Sequence, residues 1–152
     1  MALDNTYFLD GVDLQILTIL EADGRISVSA LSKAINMSAP SVAERLRRLE
    51  ARGIIRNYTV DVDLPVLGYS LEAIVRLKPR SGKLKLVEKM IDSEQRFVCC
   101  DRVTGDDCYI AKLVLRSVDE LDDLLEPFHD CAETNTSIVK SSLIRKRQPF
   151  SK

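Results

Sequence analysis

RISVSALSKAINMSAPSVAERLRRLEARGIIRNY, residues 25–58, decides how the rest of the chain is read. Ser27 stands where its oxygen can accept a first-turn amide, so it caps a short helix over residues 28–35 with Leu31 and Ile35 turned inward. Asn36-Met37 makes a turn. Ser38 caps a longer helix, and Pro40 is tolerated there because first-turn amides have no partner inside the helix. Val42, Leu46 and Leu49 recur at helical spacing and define one buried stripe. At about 100° per residue the opposite face holds Pro40, Ser41, Glu44, Arg47 and Arg48, with Arg45 at the edge of the stripe. Gly53 closes the helix, and residues 54–61 read as a strand rich in β-branched side chains. Two capped helices, a tight turn and a following strand have the layout of a winged helix-turn-helix, whose second helix enters the DNA major groove.

Outward from this stretch, an earlier helix is expected from residue 12 or 13 to about Ala22, with Ile16, Leu17 and Leu20 as its apolar stripe. Gly24 would end it in the left-handed conformation. The formal net charge of the 152-residue chain is −1, so attraction to nucleic acid must come from local clustering. Residues 38–58 supply it, with five arginines against two glutamates. Acid gathers elsewhere, in Asp119, Glu120, Asp122, Asp123, Glu126 and Asp130. Ser38, Ser41 and the helix N-terminus suit phosphate or base edges, and the arginine fork of Arg45, Arg47 or Arg48 can hold guanine or a phosphate. Glu44 is placed to accept from a cytosine amine. Arg56, on the strand, reaches toward phosphate or is an idle surface charge. The competing reading of the whole stretch is a plain surface helix in a helical hairpin.

After residue 61 the segment VDLPVLGYS, with Pro65 and Gly68, reads as a hinge over residues 61–69. It separates a DNA-binding domain, residues 1–60, from a second domain, residues 70–152. In the latter, strands are expected at 71–77, 97–103, 108–115 and 136–144. Helices are expected at 83–93 and after Ser117-x-x-Glu120, a capping box with Val118, Leu121, Leu124, Leu125 and Phe128 inward. The order β-α-β-β-α-β is that of the ferredoxin-like split motif, making the whole chain α+β. Two helices cover one face of such a sheet. The other face also carries apolar residues and calls for a partner sheet, hence a homo-oligomer.

Several function classes lack their residues. No Gly-rich phosphate loop, G-x-S-x-G elbow or H-E-x-x-H motif occurs, and one histidine leaves little for a catalytic constellation, so no catalytic residue is assigned and an enzyme is not expected. Cys99, Cys100, Cys108 and Cys131 lack C-x-x-C spacing and read as buried, reduced thiols; no metal site or cofactor is implied. No apolar run approaches the roughly 20 residues that span a bilayer, and the acidic N-terminal residues do not resemble a signal peptide, so a cytoplasmic protein is expected with no membrane partner.

Taken together, these residues resemble the Lrp/AsnC family of bacterial and archaeal transcription regulators over nearly the whole chain. Leu9-Asp10-x-x-Asp13-x-x-Ile16-Leu17 is similar to the family's opening, and Asp23-Gly24-Arg25-Ile26-Ser27 to its next signature. The run from Ser38 through Ser41, Val42, Arg45, Leu46, Leu49, Glu50, Gly53 and Ile55 to Tyr58 resembles its DNA-reading helix and following strand. Gly68 matches the glycine closing the hinge; Val103-Thr104-Gly105-Asp106 resembles the regulatory-domain turn and Thr136-Ser137-Ile138-Val139 the last strand.

The resemblance implies double-stranded DNA as partner, a homodimer built by pairing regulatory sheets, and assembly of dimers into a tetramer of dimers, an octamer. It also implies an amino acid or related metabolite as effector, near Thr104, Gly105, Asp106, Asp107 and Tyr109 and near Thr136 and Ser137. Turn amides around Gly105 would serve a carboxylate and an acid the ammonium. The chain departs from the family here. Many amino-acid-responsive members have a Gly-Asp-aromatic-Asp-aromatic turn, whereas this chain reads Gly105-Asp106-Asp107-Cys108-Tyr109. A neutral thiol does not replace a charge, so Asp106 or Asp107 takes the role, the effector is not a standard amino acid, or there is none. The alternative function is a metabolite-binding protein whose helix-turn-helix is an interaction module.

Overall fold

The computed structural model describes residues 9–144 and Pro149. Residues 1–8 and the remainder of 145–152, the outer ends of the two expected domains, lie outside the described residues. The chain forms two compact units, the first reaching Asp61 and the second spanning Val62–Leu143.

In the first unit α1 (Gly11–Ala22) begins on Asp10, whose carboxylate accepts from the Asp13 amide at 2.8 Å while Asp13 accepts from the Asp10 amide at 3.4 Å. This reciprocal box satisfies two otherwise idle donors. The helix ends differently from expectation. Gly24 is not left-handed; Asp23 leaves the helix in an extended conformation, and its carboxylate accepts from the Arg25 amide at 2.9 Å, which turns the chain without a positive φ. Then α2 (Val28–Ala34) is capped by Ser27, and Asn36 takes φ 54°, so that the Met37 amide donates back to the Ser32 carbonyl at 2.9 Å. α3 (Ala39–Ala51) is capped by Ser38 and closed by Gly53 at φ 69°. Ile16, Leu17, Leu31, Val42 and Leu49 form the core, with Leu46, Ile54 and Ile55 packed against it.

The expected strand over residues 54–61 does not form. The amides of Ile54 and Ile55 both donate to the Leu49 carbonyl, at 2.9 and 3.2 Å, so these residues finish the helix end and pack on its core. Residues 56–61 are exposed, and the ladders of the described residues give them no partner strand. β-propensity without a ladder partner is not enough to make a strand.

The second unit opens with a 3₁₀ turn, Pro65–Leu67, which Gly68 ends at φ 92°. Then follow β1 (Leu71–Pro79), α4 (Leu84–Ser93), β2 (Phe97–Arg102), β3 (Tyr109–Leu115), α5 (Asp119–Leu125), a 3₁₀ turn at Glu126–Phe128, and β4 (Ala132–Ile138). The sheet order is β2-β3-β1-β4 with every pair antiparallel, the ferredoxin-like arrangement. Alternation along the strands sends Ala73, Val75, Leu77, Ala111, Leu113 and Leu115 to the helix-covered face. There they meet Val87 and Ile91 of α4 and Leu121, Leu124, Leu125 and Phe128, with Phe97 edge-on to Phe128 at 5.8 Å.

Three details differ from the sequence reading. β4 starts at Ala132 rather than 136 and stops at Ile138, because its register runs from Pro79↔Ala132 to Ala73↔Ile138 and the length of β1 sets that of its neighbour. Val118 is 49% exposed instead of buried, since it precedes the first helical residue of α5. The Glu120 carboxylate closes on the Arg116 amide at 2.9 Å, one residue before the amide a standard capping box would use.

Leu113 is fully buried in the centre of this core. Leu113→Ala should therefore destabilise the second unit by about 2–5 kcal/mol, read from the shift in a urea melt at unchanged slope.

Candidate nucleic-acid interface and effector loop

Burial of Val42 and Leu49 turns the opposite side of α3 outward. Ser38, Pro40, Ser41, Glu44, Arg47 and Arg48 are all exposed. Ser38 and Ser41 share a 2.7 Å hydroxyl contact, and the Ser41 amide donates to the Ser38 oxygen at 3.3 Å, so two hydroxyls meet at the start of the helix. Arg47 pairs with Glu44 at 2.9 Å, but the two side chains are 70% and 59% exposed. A pair this wet contributes little and yields readily to a phosphate or base. Arg48 makes no ion pair among the described residues. Arg56 is exposed beyond the helix, and Tyr58 ties that segment back by donating to Glu50 at 2.9 Å.

Arg45 is placed differently. Its Nη1 lies 2.6 Å from Asp10 and 2.7 Å from Asp13, and its side chain is 21% exposed. The Asp13 amide and the Arg45 guanidinium hold the Asp10 carboxyl below its usual range, and both carboxylates push Arg45 up. The pairing joins positions 32 and 35 residues apart, beyond the reach of helical periodicity. The Asp10–Asp13 spacing was visible in the chain, but not that it served Arg45.

The second predicted set is divided by the sheet. Thr104, Gly105 and Asp106 form an exposed turn, with Gly105 at φ 114°, and Asp107 is half-buried against Arg76 at 3.6 Å. Sequence reading missed Arg76, although a cation between the inward positions Val75 and Leu77 marks the uncovered face. Tyr109 points away from this group. It is buried on the helix-covered face and donates to Glu88 at 2.5 Å; burial, then the Glu88 carboxylate, push its phenol up to about 12. Thr136 pairs with Val75 and so lies on the helix-covered face, beside a shallow 560 Å³ hollow lined also by Asp122, Glu126 and His129. Ser137, opposite Ile74, lies on the uncovered face on the far side of β1 from the turn. Asp107 and Ser137 thus share a face that Tyr109 and Thr136 do not.

The cysteines also depart from expectation. Cys131 is buried and Cys108 half-buried, but Cys99 and Cys100, on the edge strand β2, are exposed. Among the described residues no group of three or more His, Cys, Asp or Glu side chains is disposed to hold a metal, and no helix is long and apolar enough to cross a membrane.

A family model for winged helix-turn-helix DNA-binding domains matches residues 9–56, and one for the Lrp/AsnC ligand binding domain matches residues 72–149. The chain belongs to the Lrp/AsnC family. It is a helix-turn-helix transcriptional regulator of that type. The HTH-type transcriptional regulator LrpC of Bacillus subtilis is 33% identical over 91% of this chain and 96% of its own length. The LrpC structure superposes with a TM-score of 0.86, covering 91% of this chain and 99% of that one. The feast or famine regulatory protein of Mycobacterium tuberculosis, solved with L-methionine, is 26% identical with a TM-score of 0.79, covering 93% and 99% of the two chains.

For this Lrp/AsnC regulator, Ser38→Ala removes the cap of α3 and should cost the first unit about 1 kcal/mol in a thermal melt. The raised phenol pKa of Tyr109 has a defined sign. An unfolded chain ionises this tyrosine near 10 and the folded one near 12, so its contribution is intact below about pH 10 and is lost as pH rises toward 12. Urea melts at pH 8 and pH 11 should show a smaller alkaline loss in Tyr109→Phe than in the unaltered protein.

Proposed function

We propose that this regulator docks α3 in the major groove, with Ser38, Ser41, Arg47 and Arg48 on phosphates and base edges, Glu44 released from Arg47 to accept from a cytosine amine, and Arg56 on the flanking backbone. The observation that carries the reading is the exposed, serine-capped face of α3, whose opposite side is buried in the core. Two such helices in a homodimer would meet half-sites about one helical turn apart. Working on chromosomal DNA, it acts in the cytoplasm.

The dimer would form through the uncovered sheet face. Ile74 and Ile110 lie there, half-buried, among Glu72, Arg76 and Lys112, with Lys112 3.0 Å from Glu72. Assembly of dimers into an octamer extends the same proposal. The exposed turn at Thr104–Asp107, with Arg76 and Ser137 on the same sheet face as Asp107, is the proposed effector region. Arg76 would take a carboxylate, and Asp106 or Asp107 an ammonium, in place of the acid that Cys108 displaces. L-Methionine in the mycobacterial relative supports an amino acid as the class.

Fragments of the protein's own genome retained by the protein should yield a discrete operator. On that operator Arg48→Ala should lose about 1–3 kcal/mol of binding at fixed salt. Unchanged affinity would remove Arg48 from the interface. Light scattering at micromolar concentration should give a dimer or a multiple of it; a monomer refutes the sheet-face pairing. A thermal-shift panel of the standard amino acids should show one that stabilises, by about 2.7 kcal/mol at about 100 times its dissociation constant. No response to any of them would count against the amino-acid class.

A further inference from the structure

Of the arginines on α3, Arg45 is the one held by two carboxylates at the start of another helix. Its Nη1 donates to Asp10 Oδ2 at 2.6 Å and to Asp13 Oδ1 at 2.7 Å. The remaining oxygens are also in use, since Asp10 Oδ1 accepts from the Asp13 amide at 2.8 Å and Asp13 Oδ2 from the Asp10 amide at 3.4 Å. One guanidinium therefore bridges the first turn of α1 and the middle of α3.

The Asp13 side chain is only 7% exposed. Were Arg45 handed to a phosphate, a nearly buried carboxylate would be left without its cation and brought close to an anionic duplex. Both effects oppose the transfer. Arg47 has no comparable tie, because its carboxylate partner is in solvent and can hydrate when it leaves.

We infer that Arg45 is a positioning residue: through Asp10 and Asp13 it sets the pose of α3 on α1, and so aims Ser41, Arg47 and Arg48, without touching DNA. The inference rests on the reading of α3 as the DNA-binding face.

Salt dependence separates positioning from contact. Each lost phosphate contact makes the dependence of binding on salt concentration shallower by about 0.9 in logarithmic slope. The probe is the genomic fragment recovered above, titrated by fluorescence anisotropy at several KCl concentrations. Arg48→Gln serves as the contact reference and should give the shallower slope. Arg45→Gln should lose about tenfold in affinity with the slope unchanged. Asp13→Asn and Asp10→Asn should also bind more weakly, although each removes a negative charge near the duplex. Asp10→Asn keeps a good helix cap, so it tests the ion pair with α1 intact. Each variant is compared at a temperature where circular dichroism shows it fully folded, so a loss of affinity there is not a loss of fold.

A slope shallower by about 0.9 in Arg45→Gln, tighter binding in either aspartate variant, or unchanged affinity in all three overturns the inference. If Arg48→Gln behaves as a contact and only Arg45→Gln departs from expectation, this inference alone fails. If the unaltered protein retains no fragment, the DNA-binding reading fails and takes this inference with it.

Discussion

Val42 and Leu49 have almost no access to solvent, and on a helix that fact leaves little freedom to anything else on α3. With 3.6 residues per turn, seating those two side chains against Ile16, Leu17 and Leu31 sends Ser41, Glu44, Arg47 and Arg48 outward together. Gly53 then ends the helix by letting Ile54 and Ile55 fold back onto the same core, which anchors its C-terminal end. The exposed cations are a consequence of where the apolar stripe had to go.

The second unit applies the period of two to a different end. β1 is central, paired with β3 on one side and β4 on the other, and its odd-numbered residues from Ala73 to Leu77 enter the core. Its even-numbered residues face the uncovered side, where Glu72 meets Lys112 and Arg76 meets Asp107. One strand thus builds the hydrophobic layer with one side and presents paired charges and a few apolar residues with the other. A surface of that mixed kind can remain in water as a single chain and still bury the half-exposed Ile74 and Ile110 against a copy of itself.

Electrostatics sort the arginines by the burial of their partners more than by distance. Glu44–Arg47 and Asp13–Arg45 have nearly the same separation, 2.9 and 2.7 Å. Water screens the first on every side. The second includes a carboxylate almost removed from water, so its cation is retained. Net charge near zero hides this division, as it hides the acidic residues of α5 at the other end of the chain.

Helices with a cap, a stripe and a stop were legible in the chain because each of those signals is local. Ser27 and Ser38, the Val42-to-Leu49 stripe and Gly53 lie within a few residues of the groups they act on. The order of strands and helices followed from alternation and turn residues, and with it the ferredoxin-like arrangement. Tertiary structure decided what depends on residues distant in sequence. The extent of β4 came from the length of β1, the absence of a strand after α3 from the lack of a ladder partner, and the separation of Tyr109 from Asp107 from which face the helices cover. The partnership of Arg45 with Asp10 and Asp13 belongs to the same class: periodicity can put an arginine at the edge of a buried stripe, but only the packing of α1 beside α3 brings two carboxylates to it.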